Sequence, residues 1–483
     1  MIIAPAELPM RVEQLLATGF RVALVAGHDD GDRLRAVYLF TAPGDRRVEF
    51  EVPLERSAPE VPTLAGLSFA AGRFEREMRD LFGIVPAGHP LPRRLLRHFH
   101  WPKGWYPMRW DAGEPPEFGD VDGPYPFRTV EGDGVYEIPV GPVHAGLIEP
   151  GHFRFSVVGE TILNLKARLW FVHKGLERLF EGRRADTALE LAERVSGDTS
   201  VGHSLAFCLA VEQAYGAAVP PGVQRSRAIL LELERLYNHI TDIGALCNDV
   251  GYGILNVHAQ RVRETLLRHN EYVTGHRLLR GAIHPGGVAL RALPDLALMA
   301  DAAVDIAEIV DLALGNSVVH DRFAGTAVLR RAQAADLGTL GYVARASGLL
   351  LDARYDHPFV DVGLPRTRHP RTEGDVLSRF LVRAEEIAHS IALISDLTGA
   401  IAGSAPLPPT PMGRSGVGIC EGWRGTIVHR VELTPDGTLA RVKIVDPSFV
   451  NWPALPVALA DTIVPDFPLT NKSFNLSYAG NDL

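Results

Sequence analysis

Residues 187–216 read TALELAERVSGDTSVGHSLAFCLAVEQAYG, and the rest of the chain is organised around this stretch. The spacing predicts one long helix that is apolar on nearly every face and therefore buried. Ser196, Thr199 and His203 stand at i, i+3 and i+7, so they would share one stripe of that helix. Buried hydroxyl and imidazole groups need partners. Two interpretations stay open, a satisfied internal network and the wall of a present or former active site.

The composition bounds the class of protein. A chain of 483 residues with 46% hydrophobic and 22% charged residues is long enough for two or three domains with a large core. The formal net charge of −9 and the lack of a basic tract argue against a nucleic-acid partner. We find neither a Sec-type signal nor an apolar run of the roughly 20 residues that a membrane helix needs. Three widely spaced cysteines indicate a reducing compartment, so a cytoplasmic protein is expected.

The pattern of the first 134 residues predicts a small α+β unit and a linker. Three apolar runs before residue 53 alternate like strands, and Ser68–Phe82 switches to helical spacing, with Gly83 as its stop. Residues 103–134 are rich in Pro, Gly and acidic side chains. We therefore expect a first domain over 1–102, a linker over 103–134 and a second domain over 135–483.

The second domain is predicted to combine a β-hairpin or meander with a helical bundle. The strand Val135–Val140 leads into a Gly-rich loop that carries Glu149 and His152, and strands resume after it. Polar side chains recur on each long predicted helix. These side chains fit a functional bundle interior or a structural salt-bridge lattice equally well. The four further predicted helices are Gln224–Leu246, Val257–Leu279, Pro294–Leu314 and Asp375–Leu397.

Two runs of sequence resemble known families. Glu75–Ile84, followed by Gly88–Leu95, resembles the signature of the thirty-kilodalton subunit of respiratory complex I. Residues 136–483 resemble the large subunit of group 4 [NiFe] hydrogenases of the formate-hydrogenlyase type, and the related forty-nine-kilodalton subunit of complex I. The resemblance implies an α+β fold, in which a small α/β docking domain precedes a large, mainly helical domain with flanking β-elements.

At the positions that the resemblance assigns to the family's metal-binding cysteines, this sequence has other residue types. Active hydrogenases carry Arg-x-Cys-Gly-x-Cys, with a His four residues later, and a second motif Asp-Pro-Cys-x-x-Cys. The matching residues here run from Arg194 to His203 and from Asp446 to Asn451, so all four thiolate positions are replaced. A NiFe centre needs soft thiolate ligands, and we expect neither that centre nor hydrogenase activity. The four replaced positions, expected to form the wall of a cavity, are Ser196, Thr199, Ser448 and Asn451.

The same resemblance implies roles for other residues. His152 matches the headgroup histidine of the complex I quinone site, whose tyrosine falls here on Gly197. Glu149 is in reach of the role that the proton-passing glutamate has in the hydrogenases. Glu177 and Arg424 match charged residues beside the old metal cavity. Together with His203, the residues His152, Glu149, Glu177 and Arg424 are the candidate catalytic residues.

The resemblance also implies partners and two alternative functions. We expect an iron–sulfur small subunit with the proximal cluster, a ferredoxin-like subunit and antiporter-like membrane subunits, assembled on the inner face of the cell membrane. The complex would be an NAD(P)H- or ferredoxin-linked quinone oxidoreductase, with any NADH site on another subunit. In the first alternative the cavity receives electrons and passes them to a quinone. In the second the chain is a non-catalytic coupling scaffold with a vestigial cavity, and an active hydrogenase is a distant third.

Overall fold

The computed structural model describes residues 1–119, 121–146, 148–361, 363, 371–399 and 403–483. The N-terminal part is a three-stranded antiparallel sheet in the order β1-β2-β3, next to a short parallel pair, β4 and β5. Helix α2 begins after the N-cap Ser68 and ends at Gly83, as predicted, and packs against β1. The elements are α1 Leu8–Ala17, β1 Arg21–Asp29, β2 Arg33–Ala42, β3 Arg46–Glu55, β4 Glu60–Pro62, α2 Phe69–Phe82 and β5 Val85–Ala87.

The described residues between Ala87 and Val135 form neither helix nor strand. They lie against the rest of the molecule, since Arg109 Nε donates to the Phe82 carbonyl at 2.7 Å and His98 Nε2 lies 2.8 Å from the Trp170 carbonyl oxygen. The predicted linker falls in this region, and its boundaries stay a prediction. The predicted hairpin or meander follows, as a meander with antiparallel order β6-β7-β8. Its strands are β6 Val135–Val140, β7 His152–Val158 and β8 Thr161–Arg168.

The predicted single helix over 187–216 is wrong. The chain forms a short helix, leaves helical geometry, and begins a second helix at Ser200. Gly197 disfavours a helix interior, and the hydroxyl and carboxylate groups around it bond to side chains from distant parts of the chain. Ser196, Thr199 and His203 therefore do not share one helical stripe. The elements are α3 Leu176–Phe180, α4 Leu189–Ala192 and α5 Ser200–Tyr215.

The four further predicted helices are present. They make up the bundle, in which α6 packs against α7 and α13. The second of them ends at Thr274, five residues before the predicted end, because Gly275 adopts a left-handed φ of 89°. The bundle and its connections comprise α6 Pro221–Asp249, α7 Gly253–Thr274, β9 Ile283–His284, β10 Gly287–Val288, α8 Leu296–Leu314, α9 Ser317–Phe323, α10 Arg331–Leu337, α11 Gly341–Ala346, α12 Ala353–Asp356 and α13 Val376–Leu397.

A final antiparallel sheet, β11-β12-β13, packs on α5. Two glycines allow the close approach: a Cβ on Gly416 would lie 2.0 Å from the Ala210 carbonyl oxygen, and one on Gly418 would lie 1.9 Å from that of Ala206. The elements are β11 Ser415–Gly422, β12 Gly425–Leu433, β13 Leu439–Val445, α14 Pro447–Asn451, α15 Ala454–Ala458, α16 Phe467–Phe474 and α17 Tyr478–Asp482.

Candidate functional site

An ion pair between Asp198 and Arg424 forms the centre of the site. Arg424, on the turn between β11 and β12, binds both carboxylate oxygens of Asp198, at 2.6 and 2.8 Å. Its guanidinium also lies 3.9 Å from the centroid of the Trp423 ring, and its Nε donates to the Asn475 carbonyl at 2.6 Å. Burial lowers the pKa of Arg424, but the Asp198 carboxylate outweighs that effect and raises it. Arg424 is therefore a fixed, permanent cation.

Three of the four predicted wall residues join one hydrogen-bonded network around this pair. The hydroxyls of Ser196 and Thr199 both donate to Asp198 Oδ1, at 3.0 and 2.9 Å. Ser196 Oγ also lies 2.8 Å from Ser477 Oγ, and the Ser477 backbone amide donates to Ser448 Oγ at 3.0 Å. These hydroxyls are buried and have partners.

Asn451, the fourth position, does not join the network. Its amide exchanges two hydrogen bonds with the backbone of Leu340, at 2.8 and 3.1 Å. Asn451 therefore fixes the chain that leads into α11. The structure brings together three of the four predicted wall residues and separates the fourth from them.

His203, on α5, lies in a chain of buried titratable groups. His203 Nε2 is 3.0 Å from Asp446 Oδ2, and His203 Nδ1 is 3.0 Å from His429 Nε2. Because the carboxylate accepts, His203 carries its proton on Nε2, and Nδ1 then accepts from His429. Burial, followed by the neighbouring His203, holds the pKa of His429 well below its usual range, so that ring is neutral. The three groups form an oriented hydrogen-bond chain from β12 to the start of α14.

His152 and Glu149 lie in the segment around the loop between β6 and β7, as predicted. His152 is the first residue of β7, and its Nδ1 donates to the Gly141 carbonyl at 3.1 Å. Its Nε2 is buried without a partner in the described chain, and its ring lies 5.7 Å from that of Phe127. Glu149 accepts from the Ala479 amide at 3.1 Å, which ties this loop to α17.

Glu177 lies in a different cluster, between the two domains. It binds Arg441 at 2.7 Å and Lys443 at 3.0 Å, and Lys443 also binds Glu77 of α2 at 2.8 Å. Burial raises the pKa of Glu177, but the two cations outweigh it and bring the pKa to about 2. The carboxylate is therefore ionised and engaged in holding β13 to α2, and a chemical role for it stays a prediction.

The polar side chains inside the bundle form a salt-bridge lattice, one of the two alternatives that the sequence left open. On α6, Arg235 binds Glu232 at 3.0 Å, and His239 binds Glu386 of α13 at 2.8 Å. Glu386 also pairs with Arg345 at 2.6 Å. These groups are buried and paired.

Sequence reasoning missed Asp198, His429 and Glu234. Asp198 occupies a variable position of the family motif, and His429 lies in a strand with no motif. Glu234 accepts from the amides of Val201 and Gly202, at 2.6 and 3.0 Å, and thereby caps α5. The only sequence signal that could have identified Glu234 was its position on α6, one helical turn before the polar Asn238.

The donor set does not suit a NiFe centre. Ser196, Thr199 and Ser448 offer neutral hydroxyl oxygens, which are poor ligands for soft metals, and their hydrogen bonds are already made. The three cysteines, Cys208, Cys247 and Cys420, are buried and unpaired. Burial raises the pKa of the Cys247 thiol to about 12, which opposes the thiolate form that binds metals. In the described ranges, no group of three or more His, Cys, Asp or Glu is arranged to hold a metal ion.

Two family descriptions match the sequence. The respiratory-chain NADH dehydrogenase 30 Kd subunit matches residues 2–116, and the 49 Kd subunit of the same enzyme matches residues 249–410. The chain is also similar to whole proteins. Formate hydrogenlyase subunit 5 of Escherichia coli (strain K12) is 34% identical over 454 residues, which cover 90% of this chain and 79% of that protein.

Further relatives connect hydrogenases with complex I. Hydrogenase-4 component G of the same organism is 33% identical, over 89% of this chain and 77% of its own. An NADH-quinone oxidoreductase component of Phocaeicola vulgatus is 31% identical, over 71% of this chain and 70% of its own. A chain from the membrane-bound sulfane sulfur reductase, an archaeal respiratory membrane complex, superposes with a TM-score of 0.67 at 23% identity, over 74% of this chain and all of that one. These findings confirm the predicted resemblance and fold.

Proposed function

We propose a function for this chain from its membership of the family that comprises formate-hydrogenlyase-type hydrogenase large subunits and fused thirty- and forty-nine-kilodalton complex I subunits. In the proposal it is the acceptor-site subunit of a membrane-associated oxidoreductase complex without a NiFe centre. A partner iron–sulfur subunit supplies electrons, and a small organic acceptor, a quinone, receives them. A ferredoxin-like subunit and antiporter-like membrane subunits complete the complex. In the proposal the chain lies on the inner face of the membrane. Of the helices in the described ranges, none is long and apolar enough to cross a bilayer.

One observation carries this proposal. At the positions where relatives of this kind hold metal through thiolates, this chain has hydroxyls bonded to an Asp198–Arg424 pair. The exposed fraction of the Asp198 side chain is 39%, and a Cβ on Gly197 would meet no atom within 4 Å. The Asp198 carboxylate is therefore reached from the surface beside Gly197, where an organic molecule can approach it.

Reduction of a quinone to a quinol takes two electrons and two protons. In the proposal the electrons come from the partner's cluster, and His152 acts at one carbonyl oxygen. Because His152 Nδ1 donates to Gly141, Nε2 can donate to a carbonyl only when the ring is an imidazolium. The second proton comes from solvent at the other carbonyl oxygen, because position 197 is a glycine with open space around it and has no tyrosine to supply that proton. Glu149, tied to α17, is the proposed group that replenishes protons in this loop.

A coupling scaffold is the second candidate, and one observation favours it. The hydroxyls of Ser196, Thr199 and Ser448 have their hydrogen bonds within the protein, and Gly197 stands where the quinone-binding relatives place a proton donor. A subunit of this kind transmits conformational change between a redox partner and the membrane subunits without binding an acceptor itself.

Photolabelling of the purified complex tests the two candidates. An azido-quinone should label peptides from residues 135–168 or 194–203 of this chain, and unlabelled quinone should compete. His152→Gln should reduce the labelling and the turnover, while the exposed His320→Gln should change neither. Saturable labelling confined to other subunits, with turnover unaffected by His152→Gln, would favour the scaffold and contradict the acceptor site.

A further inference from the structure

A separate cavity lies between the two domains, on the side of α2. Its volume is about 320 Å³, within the range of roughly 300–1,000 Å³ that small-molecule sites occupy. Phe69 and Leu91 form the N-terminal wall, and Leu169, Trp170 and Trp452 form the opposite wall. The rims are open to solvent, since 44% of Phe69 and 42% of Leu91 are exposed. Most of the lining is therefore apolar and accessible.

Three guanidinium groups, those of Arg73, Arg76 and Arg93, also line this cavity. Among the described residues, none of the three forms an ion pair, and the hydrogen bonds they make go to neutral oxygens. The Nε atoms of Arg73 and Arg93 are buried with no partner in the described chain. Buried guanidinium groups are normally paired with an anion. Within the described chain, this cavity brings three guanidinium groups together with no acidic side chain in its lining.

Nearby carboxylates of the described chain have other partners. Glu77, on the same helix, is bound to Lys443 at 2.8 Å, and Asp80 accepts the backbone amides of Leu95 and Leu96. His89 accepts a hydrogen bond at Nδ1 and donates from Nε2, as a neutral ring does. Burial and then the repulsion of nearby Arg76 lower the pKa of Arg73 to about 9, which fits a cation without a counter-ion.

We propose that this cavity binds an anionic amphiphile. Its carboxylate or phosphate head forms hydrogen bonds with Arg73, Arg76 and Arg93. Its alkyl or isoprenoid chain lies against Leu169, Trp170 and Trp452. Arginine forks bind both kinds of head in two-point geometry. The lining has no Asp, Glu, Asn, Gln, Ser or Thr side chain to bind a ribose or a base, which disfavours a nucleotide. The proposal is independent of the acceptor site, since Ser196, Asp198 and Arg424 do not line this cavity.

Fluorescence quenching by bromine measures this binding directly, because Trp170 and Trp452 line the cavity. The full-length chain, and separately the purified complex, are titrated with 10-bromodecanoate, 10-bromodecyl phosphate and the uncharged 10-bromodecanol. Both anions should quench saturably, with a dissociation constant at least about tenfold lower than that of the alcohol. The ratio between the two anions tells a carboxylate ligand from a phosphate ligand.

Two variants show whether the arginines are responsible. Arg93→Gln, at the cavity, should weaken binding of both anions about tenfold and leave the alcohol unchanged. Arg11→Gln, on α1 outside the cavity, should leave all three affinities unchanged, and circular dichroism checks that both variants fold. Any of four results would overturn the proposal. The first two are equal affinity for the alcohol and the anions, and an anion affinity that Arg93→Gln leaves unaltered. The other two are competition by AMP, and binding that the free chain shows but the assembled complex does not.

Discussion

Replacing Asp198 by Asn should destabilise the protein because it leaves the Arg424 cation without its counter-charge. The amide keeps the size and one acceptor of the carboxylate, so the change is mainly electrostatic. Removing one partner of a fully buried ion pair costs about 3–5 kcal/mol. Arg424 is buried, but 39% of Asp198 is exposed, so water solvates part of the change, and we expect a loss of about 2–3 kcal/mol.

A double-mutant cycle isolates this interaction. Asp198→Asn, Arg424→Gln and the double variant are unfolded in urea, and the Trp423 ring, which stacks on Arg424, reports local unfolding by its fluorescence. The two substitutions should be coupled by at least about 1.5 kcal/mol, because the second removes the charge that the first leaves unpaired. The exposed pair of Arg11 and Glu7 is the control, and Arg11→Gln should cost no more than about 1 kcal/mol.

Additive effects of Asp198→Asn and Arg424→Gln, within about 0.5 kcal/mol, would refute this reasoning. Such a result would mean that the two side chains do not stabilise each other, and that the network around them is not built on their charges. A loss no larger than that of the control variant would lead to the same conclusion.

Two further predictions concern the supports of the site. Burial raises the pKa of Glu234 from its usual 4.5 to about 8. The folded protein therefore keeps a proton that the unfolded chain loses, and stability should fall as pH rises from about 4.5 to 8, by at most about 5 kcal/mol. Urea titrations across that pH range should show no such decline in the stability of Glu234→Gln. If the stabilities of the two proteins instead change with pH in parallel, the prediction is contradicted. Gly341 has a φ of 66°, and a Cβ there would lie 1.9 Å from the Arg424 carbonyl oxygen. Gly341→Ala should cost at least about 3 kcal/mol, whereas Gly338→Ala, at a φ of 73° with 3.7 Å of clearance, should cost about 1 kcal/mol. Equal thermal or urea midpoints for the two alanine variants would show that the Arg424 turn is not so constrained.

The sequence predicted the elements whose determinants are local. Ser68 and Gly83 delimit α2 as expected, and Asp375 caps α13 through the Ser378 amide. Both helices carry their start signals within a few residues, and helix spacing needs no knowledge of distant contacts. The resemblance to known families was also readable, because the motifs that carry it are contiguous.

The arrangement of the site could not be predicted because its partners are far apart in sequence. Asp198 bonds to Arg424 across 226 residues, and Ser196 bonds to Ser477 across 281. These contacts hold residues 194–199 outside helical geometry, whereas the apolar pattern of 187–216 favours a continuous helix. The predicted stripe failed for that reason, although two of its members do lie in the same network.

Nickel analysis of the purified complex, prepared from cells grown with added nickel, tests the central claim most directly. Iron is uninformative because partner subunits are expected to carry iron–sulfur clusters, so nickel per chain is the decisive quantity. With hydroxyl and amide groups at all four family thiolate positions, only traces of nickel should accompany the chain. Nickel close to one per chain, retained through dialysis against a chelator, would contradict this account.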